Sequence, residues 1–146
     1  MSESGIPALQ DVLHREVPLT AHMGVRVAGY DGGELVLKAD LEPNINIHGT
    51  AFGGSLYSIC AIACWGLLHC RFQEAGITAG SVLAEGHIQY RLPVSGAIEA
   101  RCRVSGSFEA FLAEVKSGRR VGIELQAEVL TGRGRAVTFK GRYFSF

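Results

Sequence analysis

The 146-residue chain is 47% hydrophobic and 19% charged, which excludes a disordered polymer and amounts to one domain's worth of sequence. Fourteen Lys and Arg balance fourteen Asp and Glu, and no helix-turn-helix, zinc-finger or RNA-binding signature accompanies them, so nucleic acid is not an expected partner. The opening MSESGIPALQDVLHRE carries acidic side chains and no apolar run of signal-peptide type, so a cytoplasmic protein is expected.

Pro7 to Val17 sets Leu9, Val12, Leu13 and Val17 at helical spacing, which predicts a short amphipathic helix ended by Pro18 and lidding the core. Val25–Tyr30 and Glu34–Leu41 read as strands joined through Asp31-Gly32-Gly33, residues that tolerate the positive φ of a hairpin turn. Then comes NINIHGTAFGGSLYSICAIACWGLLHC, Asn44 to Cys70, which couples a glycine-rich loop to a helix predicted over Ser55–Cys70. Ile59 to Leu68 is apolar on every side, so the helix must be enclosed; that stretch is shorter than the roughly 20 residues of a bilayer span, and no membrane partner is expected. Its first turn emerges from Gly53-Gly54, where unpaired amides and the positive end of the helix dipole can hold an anion or a developing oxyanion.

After Gly76 the period changes to two. Val82, Ala84, Gly86, Ile88, Tyr90 and Leu92 fall on one face of a long strand, with Glu85, His87, Gln89 and Arg91 on the other. Ile98 to Val104 gives a further strand, Phe108, Phe111, Leu112 and Val115 a short helix with Ser107 at its N-cap, and Val121–Val129 and Val137–Tyr143 the last two strands. These later strands lack crossover helices, which excludes a parallel βαβ fold and predicts an α+β domain over residues 1–146. Its antiparallel sheet of about six strands wraps around a long central helix.

Cys60, Cys64, Cys70 and Cys102 form no C-x-x-C pair, and three of them lie in the buried helix, so they are expected to be reduced packing residues and no metal is expected. Residues 101–146 carry nine Lys and Arg against four Asp and Glu. Lys116, Arg119, Arg120, Arg133 and Arg135 cluster around predicted turns, either as a site for a phosphate or acidic partner protein or as a solvated rim.

Asn46-Ile-His48-Gly49-Thr50-Ala-Phe52-Gly53-Gly54-Ser55-Leu56-Tyr57-Ser58 resembles the N-x-x-G-x-x-H-G-G segment of hotdog-fold acyl-CoA thioesterases, and more closely the hotdog domains of the YiiD C-terminal type. The resemblance implies a homodimer, or a tetramer of paired dimers, that acts on the phosphopantetheine thioester of acyl carrier protein or coenzyme A without a further cofactor. The thioester would lie at the subunit interface with its carbonyl toward the amides that start the helix. Members of the subgroup have been called thioesterases, and some act as malonyl-acyl carrier protein decarboxylases feeding fatty-acid synthesis.

This chain departs from the hydrolytic pattern at two positions: Phe52 stands where the pattern has His, and Ala61 where it has a helix carboxylate. Asp and Glu are absent from residue 43 to residue 73, so the usual base that activates water is missing. Decarboxylation of a malonyl thioester needs no base, only stabilisation of an enolate oxygen, and is the preferred reading. Hydrolysis of an acyl thioester is the alternative, and a non-catalytic thioester-binding module the third. Asn46 is the candidate side-chain donor to that oxygen, against an asparagine that merely satisfies its own turn; Gly53 and Gly54 are the candidate backbone donors, against glycines that only permit close packing. Ser55, Ser58, Thr50, Tyr57 and Phe52 are expected to line the pocket, and His48 to supply a proton or to be an idle loop residue. His87, with Glu85, would revive hydrolysis if it reached the site across a dimer, and Arg119 and Arg120 would dock the carrier.

Overall fold

A helix without a polar face has to be surrounded, and the chain spends most of its strands doing so. The computed structural model describes residues 5–146. In chain order it contains α1 (Ile6–Glu16), α2 (Pro18–His22), β1 (Arg26–Tyr30), β2 (Glu34–Ala39), a 3-10 turn at Glu42–Asn44, α3 (Gly53–Glu74), β3 (Ser81–Tyr90), β4 (Ile98–Arg103), α4 (Phe108–Lys116), β5 (Val121–Thr131) and β6 (Gly134–Ser145). The six strands form one antiparallel sheet, as expected, and its strand order is β1-β2-β4-β5-β6-β3. Its inner face, with Leu35, Leu37, Ala100, Leu125, Phe139 and Tyr143 all buried, packs on Leu56, Ile59, Cys60, Ala63 and Leu67 of α3. At 22 residues α3 reaches the length of a membrane span, and here the sheet supplies the enclosure.

Several local expectations are corrected. The central helix runs further at both ends than Ser55–Cys70, because Gly53 and Gly54 already belong to its first turn and Arg71 and Glu74 continue its last. Pro18 ends α1 but also opens α2, using the first-turn position where its missing N–H costs nothing. Ser107 stands at the start of α4 but makes no side-chain cap; its hydroxyl pairs with that of Ser105. In β3 a bulge between Leu83 and Glu85 breaks the simple alternation. Leu83 pairs with Tyr143 on the inner face, and Val82, predicted to face inward, is half exposed.

The hairpin turn behaves as its residues require. Asp31 Oδ1 accepts from the amides of Gly33 and Glu34 at 2.9 and 2.8 Å, and Gly32 takes a φ of +90°. The two edges of the sheet are treated differently. Along β1, α1 covers the edge: Gln10 Oε1 accepts from Val27 N–H at 3.0 Å, and His14 Nε2 donates to the carbonyl of Val25. Along β3, a ten-residue strand without proline, nothing among the described residues covers the outer edge.

Gly66 sets the distance between helix and sheet. It is buried, and a Cβ there would stand 2.7 Å from Leu35 Cδ2. Overpacking of about 1–3 kcal/mol should outweigh the ~0.5–1 kcal/mol gained by replacing a helical glycine, so Gly66→Ala is expected to lower the Tm. An unchanged or raised Tm would show that Leu35 gives way.

Candidate functional site at the start of the central helix

The loop before α3 is built by two asparagines. Asn44, 2% exposed, donates its Nδ2 to the carbonyls of Met23 and Asp40, both at 2.9 Å, and its own carbonyl accepts from Phe52 N–H at 2.7 Å. Asn46 organises the turn between them. Its Oδ1 accepts from the amides of His48 and Thr50 at 2.8 and 3.1 Å, and its Nδ2 donates to Thr50 Oγ1 at 2.8 Å. The remaining Nδ2 hydrogen has only a long contact, 3.5 Å, to the Ala51 carbonyl. Asn46 thus satisfies its own turn and keeps one weakly engaged donor. Gly49 closes the turn at a φ of +79°.

The helix that follows has no conventional cap. Phe52 occupies the N-cap position, no side chain caps the amides of the first turn, and that turn holds no acidic residue. Leu56 N–H is bonded back to the Phe52 carbonyl at 3.1 Å, while the amides of Gly53, Gly54 and Ser55 have no acceptor among the described residues. Three free donors therefore stand at the positive end of a helix about 33 Å long.

Neither Gly53 nor Gly54 has a positive φ, so conformational freedom does not explain them. Aromatic rings do. A Cβ on Gly54 would run into the ring of Phe52, and one on Gly53 would lie 3.3 Å from the ring of Tyr90. The Tyr90 hydroxyl donates to the Gly53 carbonyl at 2.8 Å, tying the last residue of β3 to the first residue of α3. Burial, with smaller contributions from Cys60 and Tyr57, raises the Tyr90 phenol above its ordinary pKa, so it is a hydroxyl donor at neutral pH. Tyr90 and Asn44 were not singled out from the sequence. The period of β3 put Tyr90 on the inner face, but which helix residue it meets depends on how α3 crosses the sheet.

The other candidate residues separate into near and far groups. Thr50, Phe52, Ser55, Tyr57 and Ser58 belong to the loop or the first two helical turns, and His48 is exposed on the loop. Ser58 Oγ is committed to the Gly54 carbonyl at 2.8 Å. Ala61, one turn after Tyr57, accepts at its backbone carbonyl from the buried Tyr143 hydroxyl at 2.7 Å. His87 and Glu85 are not brought to this place. They stand on the outer face of the sheet opposite Lys140 and Arg142, beside a groove of about 1300 Å³ lined by mixed charges, among them Arg101, Glu124, Glu128 and Arg135. Arg119 and Arg120 also lie apart. They precede Val121, which pairs with Ser145 beside Ser81, at the end of β3 opposite Tyr90, whereas Arg133 and Arg135 sit near the Tyr90 end.

Thiol chemistry is closed off by burial. All four cysteines are free and buried; burial pushes Cys60 and Cys64 well up, and Cys70 to about 12, so these three are thiols at neutral pH. Among the described residues no three His, Cys, Asp or Glu side chains gather as a metal-ligand group.

The sequence profile of a family described as "Putative thioesterase (yiiD_Cterm)" matches residues 6–146. A crystal structure of a protein of unknown function from Chlorobaculum tepidum TLS is similar at 32% identity and a TM-score of 0.90, over 96% of this chain and 93% of that one. A second, from Shewanella oneidensis and described in the same words as the family, is 28% identical with a TM-score of 0.90, over 99% of each chain. The PaaI protein of the E. coli phenylacetic acid degradation operon is similar at 14% identity and a TM-score of 0.72, over 98% of this chain and 94% of that one; this is a likeness of fold alone. The fold is the hotdog fold shared with these thioesterase-like proteins.

Unlike Gly66, Gly54 meets a ring that can move, since Phe52 is 56% exposed. Gly54→Ala is expected to cost less than about 1 kcal/mol, because the ring can swing into solvent and alanine is the better helix former by up to about 1 kcal/mol. A loss above about 2 kcal/mol in denaturant unfolding would show that the Phe52 ring is held in place.

Proposed function

Because the chain belongs to the thioesterase family of the YiiD C-terminal type, we propose that it acts on acyl thioesters at the start of α3, and that its preferred reaction is decarboxylation of a malonyl thioester carried on acyl carrier protein or coenzyme A. One observation carries the reading: the helix start offers three free amide donors and no ionisable side chain in its first turn. The thioester oxygen sits against the Gly53 and Gly54 amides, with the weakly engaged Asn46 Nδ2 as a third donor. The bond between the α-carbon and the carboxylate carbon breaks, its electron pair forms the enolate, and CO2 leaves. Water then protonates the α-carbon and acetyl thioester remains. The amides and the helix dipole favour the step by stabilising the enolate oxygen more than the neutral carbonyl. A carboxylate at position 61 would oppose it, since two like charges 4 Å apart repel by about 4 kcal/mol at an effective dielectric of 20.

Hydrolysis is the second reading, favoured by the description of the family. Its base would have to be found outside the first turn of α3, and Glu85 and His87 face away from that turn. A binding module without turnover is the third reading.

The bare edge of β3 favours a homodimer built by antiparallel pairing of two β3 strands. Such a two-fold axis turns the partner's sheet end for end. The partner subunit's Arg119 and Arg120 then face this subunit's helix start, and a carrier protein could be docked by one subunit for reaction in the other.

Asn46→Asp separates the two uses of Asn46. Aspartate keeps the acceptor that holds the His48 and Thr50 amides but cannot donate, and it adds repulsion toward malonate. The fold should survive while CO2 release from malonyl thioester falls by about 10²–10³-fold. Undiminished CO2 release would remove Asn46 from the mechanism, and a parent that frees thiol from acetyl thioesters faster than CO2 from malonyl ones would sink the decarboxylase reading and put hydrolysis in its place.

Charge reversal at both Arg119 and Arg120 should impair use of acyl carrier protein more than use of a small pantetheine thioester. Refolding that variant together with Asn46→Asp should restore activity toward the carrier, because each mixed dimer has one site with Asn46 from one subunit and both arginines from the other. A parent that is fully active as a monomer at micromolar concentration, or mixtures that show no recovery, would exclude the shared site.

A further inference from the structure

Three tyrosines surround the first turns of α3, and one is held differently from the others. Tyr90 and Tyr143 donate their hydroxyls to helix carbonyls, those of Gly53 and Ala61. The Tyr57 hydroxyl has no hydrogen-bond partner among the described residues. Tyr57 is held by shape instead. On the inner face of β3 and β6, Gly86 and Gly141 stand directly opposite one another in register. A Cβ on Gly86 would overlap Tyr57 Oη, and one on Gly141 would lie 2.6 Å from the Tyr143 ring and 2.8 Å from that of Phe139. The space over Gly141 is thus taken by Tyr143 and Phe139, while Gly86 leaves a notch that Tyr57 crosses from α3 to fill, its ring edge-on to Phe139 with centroids 5.2 Å apart.

The seam between α3 and β3 starts where Tyr90 meets Gly53, and an acyl chain running along its space from the Gly53-Gly54 amides would meet Tyr57 and then the small side chain of Ala61, both only partly buried. With a small residue at position 57 that space would continue along the helix over Gly86. With tyrosine it ends one turn in. Gly54 to Tyr57 spans about 4.5 Å along the helix axis, room for roughly three or four chain carbons.

We propose that Tyr57, seated in the notch over Gly86, is the stop of the acyl channel and restricts the protein to short acyl groups, the class that includes malonyl and acetyl. The inference rests on the reading that the thioester carbonyl is held at the start of α3. Specificity here is steric: the chamber excludes longer chains, and no polar group is needed to reject them.

Binding of unreactive ketone analogues tests the stop apart from the chemistry. The probes are the acetonyl, 2-oxopentyl and 2-oxononyl thioethers of pantetheine, titrated calorimetrically against the parent, Tyr57→Phe, Tyr57→Leu and Tyr57→Ala. The parent and Tyr57→Phe should bind the acetonyl probe at least about tenfold more tightly than the 2-oxononyl probe. Tyr57→Ala should remove that preference by gaining affinity for the long probe, and Tyr57→Leu, which keeps apolar packing should the alanine variant not fold, should reduce it. A parent that binds long and short probes alike, or a preference unchanged in Tyr57→Leu, overturns the stop and leaves the thioester reading standing. No binding of the acetonyl probe to the parent overturns both.

Discussion

A helix apolar on all sides can be stable in water only if something covers every side, and α3 imposes that condition on the rest of the chain. Five strands pack their inner faces on it, and the sheet must curve to do so. Where the approach is closest the side chain disappears, as at Gly66 against Leu35. Enclosure leaves the helix ends as the places where backbone polarity is available. At its start the chain places Phe52 where a capping hydroxyl or carboxylate would usually stand. The three free amides are therefore a consequence of two choices: an apolar helix that needs a wrapped sheet, and a first turn without a capping side chain.

The same wrapping makes the two edges of the sheet unequal. Gln10 and His14 satisfy backbone groups of β1, so that edge is finished within the chain. The edge of β3 is not, and β3 is also the strand whose last residue, Tyr90, holds the Gly53 carbonyl. The candidate site and the unfinished edge are thus neighbours, joined by one phenol. That proximity favours a site completed by a second subunit, in keeping with Arg119 and Arg120 lying at the far end of their own β3.

Polarity at the helix start comes from the backbone and from neutral side chains. The thiols nearby are protonated, the acidic residues of β3 and β5 point to the outer face, and rings cover the two glycines. Such a place can receive negative charge as it develops on an oxygen without presenting charge of its own. Asn46 shows why residue type alone underdetermines a role. Its oxygen holds the loop and its nitrogen is only partly used, so both readings of the residue describe different atoms of one side chain.

Much of the fold was legible because it follows from local rules. The period-two strands, the Asp31-Gly32-Gly33 turn, the uncharged stretch from Ile59 to Leu68 and the missing crossover helices together require an antiparallel sheet around one helix. The loop-helix segment from Asn46 to Ser58 singled out the candidate site by its glycines and by its lack of Asp and Glu. Tertiary structure decided what depends on distances between elements remote in sequence. It revealed that aromatic rings lie on Gly53 and Gly54, that Tyr57 fills a notch over Gly86, and that His87 faces away from the helix. It also separated Arg119 and Arg120 from Arg133 and Arg135. Periodicity assigns a side chain to a face of its own strand or helix, but which residue of another element it meets is set by crossing angle, register and a bulge such as that at Ala84, which no local pattern encodes.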